Sequence, residues 1–254
     1  MLRTLAPCLY LATLAVVPPA AHAATIKVLT GGAFKQVITA LVPGFEARTG
    51  HKVEVQNDTA GALQKRIAGG EAFDLAVITP PVLQALATQG HVVAGSILPL
   101  AKVAIGVAVK AGAPLPPIAT VEQFQQTVLD ARKVAYVDPA AGGSSGIYLT
   151  GLFERLGIAD QVKAKAVLVP GGLVAERLVN GEADLAIHQI SEILPVKGVT
   201  LVGPLPEAVQ NYTTYAGALS SHAAQRDAAQ AFLDTLSGPE AAQVLRGKGM
   251  MPGR

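Results

Sequence analysis

Apolar positions along this chain follow two periods. Short, mostly apolar runs at 25–29, 53–55, 74–78, 134–137, 167–169 and 183–189 read as strands. Between them the apolar positions recur at three and four. Phe34, Val37, Ile38, Leu41 and Phe45 share a helical face that Gly50 ends, and Leu63 and Ile67 share one that Gly69-Gly70 stops. Residues 82–87 form another helix, and 101–110 a longer strand that runs into a proline-rich stretch at 111–117. Thr120 with Gln123 three residues on makes a capping box for a helix over 121–132. Leu149, Leu152, Phe153 and Leu156 place the next helix, closed by Gly157, and 173–179 the one after it. Residues 199–202 and 212–219 read as returning strands, and 223–236 and 239–246 as closing helices, the last with Pro239 at its first position. This alternation predicts an α/β fold, a mostly parallel sheet covered by helices on both faces.

The pattern repeats internally. Residues 65–79 reappear as 176–189, one residue shorter at Phe73: helix, glycine stop, Glu-Ala, Asp-Leu-Ala, apolar strand. Two lobes of similar plan produce such an echo. Ligands of open α/β sheets sit beyond the carboxyl ends of the strands. Those ends are here Gly32, Ala33 and Phe34; Thr59, Ala60 and Gly61; Thr79; Ser144, Ser145 and Gly146; Gly171; and His188 with Gln189. The stretch from Asp138 to Tyr148 is the densest of them. A strand, a Gly/Ser turn and a helix start bring unpaired N–H groups and a positive dipole end together, which suits an anion. An ordinary strand-to-helix turn capped by serine has the same sequence.

Composition narrows the class. Arg3, an apolar run over 5–17 and Ala21-His22-Ala23 read as a secretory signal over residues 1–23, so the mature chain is expected to begin near Ala24 in the periplasm. Cys8 is the one cysteine and falls inside that segment, which excludes disulfides and thiolate metal sites from the mature chain. Without Arg3 the basic residues fall from 20 to 19 against 18 acids, a net charge near +1 with no basic run. That excludes a nucleic-acid footprint, and no later apolar run is long enough for stable membrane insertion. No pair of histidines has metal-ligand spacing, so no metal and no cofactor is expected.

Individual residues carry alternatives. Thr59, Ser144 and Ser145 act as helix caps or as ligands. Lys35 and Arg66, in the first turns of helices, either counter a carboxylate or lie solvated on the surface. His188, at a strand end, is a carboxylate ligand, a general base or a structural histidine. Tyr148 donates to a ligand or packs. The absence of a Gly-x-Ser-x-Gly elbow argues against a serine hydrolase.

In the order Ile26 to Leu29, Gly50 before Val53-Glu54-Val55, Gly70 to Ala76, Asp138-Pro139 with Ser145 to Tyr148, Gly181-Glu182-Ala183 and Gly238 to Ala242, the chain resembles the type II periplasmic binding proteins of the molybdate-binding-protein-like family. The resemblance implies two lobes, each a mixed, mostly parallel sheet flanked by helices: 24–102 with 206–254, and 103–205. It also implies two crossing strands, near 98–103 and 205–215. It further implies a small anionic ligand held between the lobes, an ABC permease as partner, and a monomer. The molybdate-type serine of the first turn is Ala33 here, the second turn offers Thr59 alone, and the late tyrosine aligns with Gln189. Those changes point away from molybdate or tungstate towards a di- or tricarboxylate. The stretches 32–35, 57–63 and 189–195 resemble a branch that includes a periplasmic aconitate isomerase. The expected function is thus anion capture for transport, with aconitate isomerisation using His188, Tyr148 and Lys35 as the alternative and molybdate or tungstate capture through backbone donors as the second.

Overall fold

The computed structural model describes residues 23–253, so the expected signal segment, but for Ala23, lies outside the described residues. From the N-terminus the elements are β1 (Thr25–Gly31), α1 (Gly32–Thr49), β2 (Lys52–Asp58), α2 (Ala60–Ala68), β3 (Leu75–Ile78), α3 (Pro80–Thr88) and β4 (Leu98–Lys110). The middle of the chain holds α4 (Val121–Asp130), β5 (Val134–Val137), α5 (Ser144–Arg155), α6 (Ala159–Lys163), β6 (Ala166–Val169), α7 (Glu176–Val179), β7 (Leu185–Gln189) and α8 (Ile190–Ile193). It closes with β8 (Val199–Pro204), β9 (Tyr212–Leu219), α9 (Arg226–Ser237), α10 (Pro239–Gly247) and β10 (Met250–Pro252).

The strand order is β2-β1-β3-β9-β4-β7-β5-β6, with β8 and β10 also paired to β4. Parallel pairs lie at the two ends, β2-β1-β3 and β6-β5-β7. Antiparallel pairs join them through β9 and β4. β4 is shared by both parts of this arrangement. Its residues up to Ala104 pair with β9, and from Ile105 onwards they pair with β7. The chain returns beside the same point, where Leu205 N–H donates to Ile105 O and Tyr212 pairs with Ala104.

Each half carries apolar packing on both faces of its sheet. Ile26 and Val28 of β1 face α1, α9 and α10, while Leu29 faces α2 and α3. In the second half Val107 packs towards Phe124 and Phe153, and Ala108 towards Val174 and Leu178. Two-sided burial is why these strands read as mostly apolar runs.

Local signals mostly hold. Gly50 takes the left-handed conformation (φ 74°) and its N–H closes α1 on Glu46 O. Thr120 caps α4 by accepting from Gln123 N–H, while the Gln123 side chain reaches back one residue further than expected, to Ala119 N–H. Two readings shift. β2, expected over 53–55, runs from Lys52 to Asp58 because its parallel pairing with β1 persists to Gly31, which leaves Thr59 alone between it and α2. The helix expected over 173–179 is only the four-residue α7, preceded by turns.

The internal echo is physical. Asp74 before β3 accepts from Lys27 N–H and Gln225 N–H, both at 2.9 Å. Asp184 before β7 accepts from Arg132 N–H and Lys133 N–H. Arg66 pairs with Glu71, and Arg177 with Glu182, at the same places in the repeat. Each aspartate ties a strand start to its neighbour. Asp74 is buried, so Asp74→Ala leaves two N–H groups without an acceptor and is expected to cost about 2–4 kcal/mol in a urea titration. Arg177→Ala, losing an exposed pair, is expected to cost less than about 1 kcal/mol.

Candidate functional site

The carboxyl ends of both parallel sets meet at one cavity of about 230 Å³. Gly31 and Gly32 reach it from the β1–α1 junction, Asn57 to Ala60 from β2–α2, and Val137 with Gly143 to Ser145 from β5–α5. Gly171 and Gly172 follow β6, His188 and Gln189 end β7, and Glu192 and Tyr215 complete the wall. The first residues of three helices, Gly32 of α1, Ala60 of α2 and Ser144 of α5, all line the cavity. Neither α1 nor α5 has a side-chain cap, so their first N–H groups are available to a bound anion. Each N-terminus adds roughly half a positive charge. No Lys or Arg lines the cavity among the described residues.

Two side-chain clusters sit against these donors. His188 Nε2 and Glu192 Oε2 are 3.2 Å apart, with 3 % and 8 % of their side chains exposed. Burial pushes the imidazole down to about 3 and the carboxyl up to about 8, so each partner is driven towards its neutral form. Nδ1 of His188 has no partner among the described residues, and Nε2 is the side of the ring that faces Glu192. In the second cluster Tyr215 OH donates to Gln189 Oε1 at 3.2 Å, and Gln189 Nε2 donates to Ser144 Oγ at 3.0 Å. Burial first, and the nearby Glu192, raise the Tyr215 hydroxyl well above its usual range, so it remains a neutral donor.

The β1–α1 junction is glycine because these groups press on it. A Cβ at Gly31 would meet the Tyr215 ring at 2.7 Å, and one at Gly32 would meet Glu192 Oε1 at 2.4 Å. Across the mouth, Thr59 Oγ1 donates to Ala141 O, and Gly61 N–H donates to Gly142 O at 3.1 Å. Backbone from the two halves touches there: a Cβ on Gly61 would lie 2.9 Å from Gly142 Cα.

Of the residues expected from sequence, Gly32, Thr59, Ala60, Ser144, Ser145, Gly171, His188 and Gln189 line the cavity. Ala33 and Phe34 are core residues one layer behind, the Phe34 ring lying 6.0 Å from that of Tyr215. Gly61 spends its N–H on the bridge, and Gly146 packs on the Val137 carbonyl. Thr79 opens α3 away from the lining. Tyr148 donates to Val209 O at 2.8 Å and lies under Arg155, outside the cavity. Lys35 is exposed, because it points off the outer side of the first turn of α1. Arg66 is held by Gln56, Asp58 and Glu71, which answers its charge at the surface. Gly143, rather than a serine, caps α5.

Glu192 and Tyr215 are the residues that sequence reasoning passed over. Tyr215 sits in an ordinary alternating strand, and Glu192 in a short run where glutamate reads as surface. The spacing of four between His188 and Glu192 was the one available signal.

With the fold and the cavity in view, the class follows: residues 26–251 match the family described as bacterial extracellular solute-binding protein, and the chain belongs to that family. A nearer relative is more specific. An aconitate isomerase from Pseudomonas sp is 34 % identical over 234 residues, covering 90 % of this chain and 88 % of that protein. Among solved structures, the periplasmic molybdate-binding protein of Azotobacter vinelandii superposes with a TM-score of 0.76 at 20 % identity, covering 89 % of this chain and 98 % of the other. The sulfate-binding protein of Mycobacterium tuberculosis gives 0.72 at 18 % identity, with 90 % and 87 % covered. Both show the fold.

Proposed function

We propose that this chain is a periplasmic, cofactor-independent isomerase that interconverts cis- and trans-aconitate by an allylic proton shift. The observation that carries the reading is the buried His188–Glu192 pair, an acid and a base 3.2 Å apart in the wall of a cavity whose other donors suit carboxylates. The relative named above supports the choice of substrate. We further propose that residues 24–102 with 206–254 and residues 103–205 act as two lobes that close on that substrate.

The chemistry needs little more. A C–H bond of the substrate methylene breaks, and its proton passes to the His188–Glu192 pair. The electron pair spreads over the three-carbon unit and its carboxylates, and the double bond moves by one carbon. The same pair returns a proton to the former vinylic carbon, so atoms and charge balance. The uncapped N-termini of α1 and α5 offer N–H groups to the carboxylates, and their dipoles hold the charge that develops on the intermediate. Tyr215, fixed by Gln189, adds a neutral O–H donor. Closure excludes water while the intermediate exists.

The contacts across the mouth also support a second reading, capture of a small carboxylate by hinge closure and delivery to an ABC permease. Proton NMR of cis- and trans-aconitate with the purified mature protein separates the two. The isomerase reading expects one equilibrium mixture from either isomer. Unchanged spectra together with a ligand-induced rise in Tm favour transport. Under either reading Gly61→Ala props the mouth open, and under the first it is expected to lower kcat/KM roughly 10²-fold with little loss of Tm.

A further inference from the structure

The cavity that welcomes an anion has an acidic side chain built into its wall and no cation beside it. Glu192 is buried, and a Cβ on Gly32 would lie 2.4 Å from its Oε1, so the carboxyl sits against the first residue of α1. Its one titratable partner among the described residues is His188 from β7, at 3.2 Å. From β9 it faces Tyr215, whose hydroxyl stays neutral. The cations of the elements packed against α8 are Lys35 and Arg48 of α1 and Lys102 and Lys110 of β4, and none of them lines the cavity. Lys102 instead lies 5.3 Å above the Tyr212 ring. Asp58, the other acid of the lining, is answered by Arg66 at 3.4 Å.

The charge count of the pair follows. With one shared proton, as Glu-COOH with neutral His or as carboxylate with imidazolium, His188–Glu192 is neutral. Without that proton it carries a full negative charge in a low-dielectric wall, facing wherever a bound anion sits. Both the burial and the anion penalise that form. We propose that the cavity binds its anion together with a proton, held by the His188–Glu192 pair, so that capture is proton-coupled and fails towards alkaline pH. This rests on reading the cavity as a carboxylate site. Burial has already raised the Glu192 carboxyl to about 8, so the coupling falls in the range from neutral to mildly alkaline pH.

The sign is fixed by linkage. Below the pair's own titration the proton is already present and affinity is flat with pH. Above it each anion must bring a proton in, and affinity falls by about tenfold per pH unit. The test uses tricarballylate, which has the three carboxylates but no double bond to move. Calorimetry of the mature protein between pH 6.5 and 9.5, in two buffers of different ionisation enthalpy, reads both the affinity and the protons exchanged. The expected result is uptake approaching one proton per tricarballylate at the alkaline end, with the affinity falling in step. Glu192→Gln, whose amide keeps a donor towards His188, is expected to bind with affinity independent of pH and without proton uptake. Wild-type binding that is flat in pH, with heats independent of buffer, overturns the proposal and leaves the carboxylate site standing. No tricarballylate binding at any pH overturns the carboxylate reading and the proposal with it.

Discussion

His188→Ala is expected to lower the turnover of aconitate by about 10²–10⁴-fold, the range that a positioned acid–base group contributes. Glu192→Gln is expected to fall in the same range, because Gln keeps the donor but cannot carry the proton away. The double variant is expected to lose little more than either single one, since the two residues act as one unit around one proton. Tyr148→Phe and Lys35→Ala are expected to retain turnover within about tenfold, a far smaller loss than the pair variants show. The Tyr148 hydroxyl serves Val209 O, and the Lys35 ammonium faces solvent. Steady-state rates by ultraviolet absorbance, with circular dichroism to confirm folding, distinguish these outcomes. Loss of activity in Tyr148→Phe alongside an active His188→Ala would place the chemistry elsewhere.

Gly146→Ala is expected to be the most damaging single methyl in the molecule. Its Cβ would lie 2.1 Å from the Val137 carbonyl oxygen and 2.9 Å from the carbonyl carbon, both backbone atoms that cannot rotate away. Either α5 lifts off β5 or β5 moves, and both break the buried strand-to-helix junction that presents Ser144 and Ser145. A cost of about 3 kcal/mol or more is expected from the urea midpoint, above the usual penalty for overpacking. Gly151→Ala, further along the same helix, is the control. Its Cβ meets only the Arg155 guanidinium at 3.4 Å, and alanine is expected to stabilise α5 by about 0.5–1 kcal/mol. Equal effects at the two sites would show that helix propensity, and not the contact with Val137, sets the cost.

These glycines also mark how far the sequence could be read. Strands buried on both faces leave unbroken apolar runs, so β3, β5 and β7 were legible, and the start and end of β9 were read as they stand. Thr120, Gly50 and Pro239 act locally, and local signals survive folding. The cavity was legible only as far as strand ends define it. Ser144, Thr59 and His188 lie where the chain leaves a strand, and that position predicts a ligand by itself. Tyr215 reaches the cavity from mid-strand because β9 runs between β3 and β4, a long-range pairing with no short-range trace. Glu192 reads as surface until the turn at Gln189 folds α8 back under His188. The same logic removed Arg66: its cation looked free in sequence, but Gln56, Asp58 and Glu71 converge on it in space.

The isomerase reading predicts where hydrogen goes, and that is its most direct test. The mature protein is incubated with cis-aconitate in D2O, and the products are followed by proton NMR. The account predicts trans-aconitate with solvent deuterium in its methylene group, formed at the same rate at which the methylene of the remaining substrate exchanges or faster. A folded protein that stabilises on adding aconitate yet leaves it unisomerised and unlabelled would contradict the account and identify a binding protein instead.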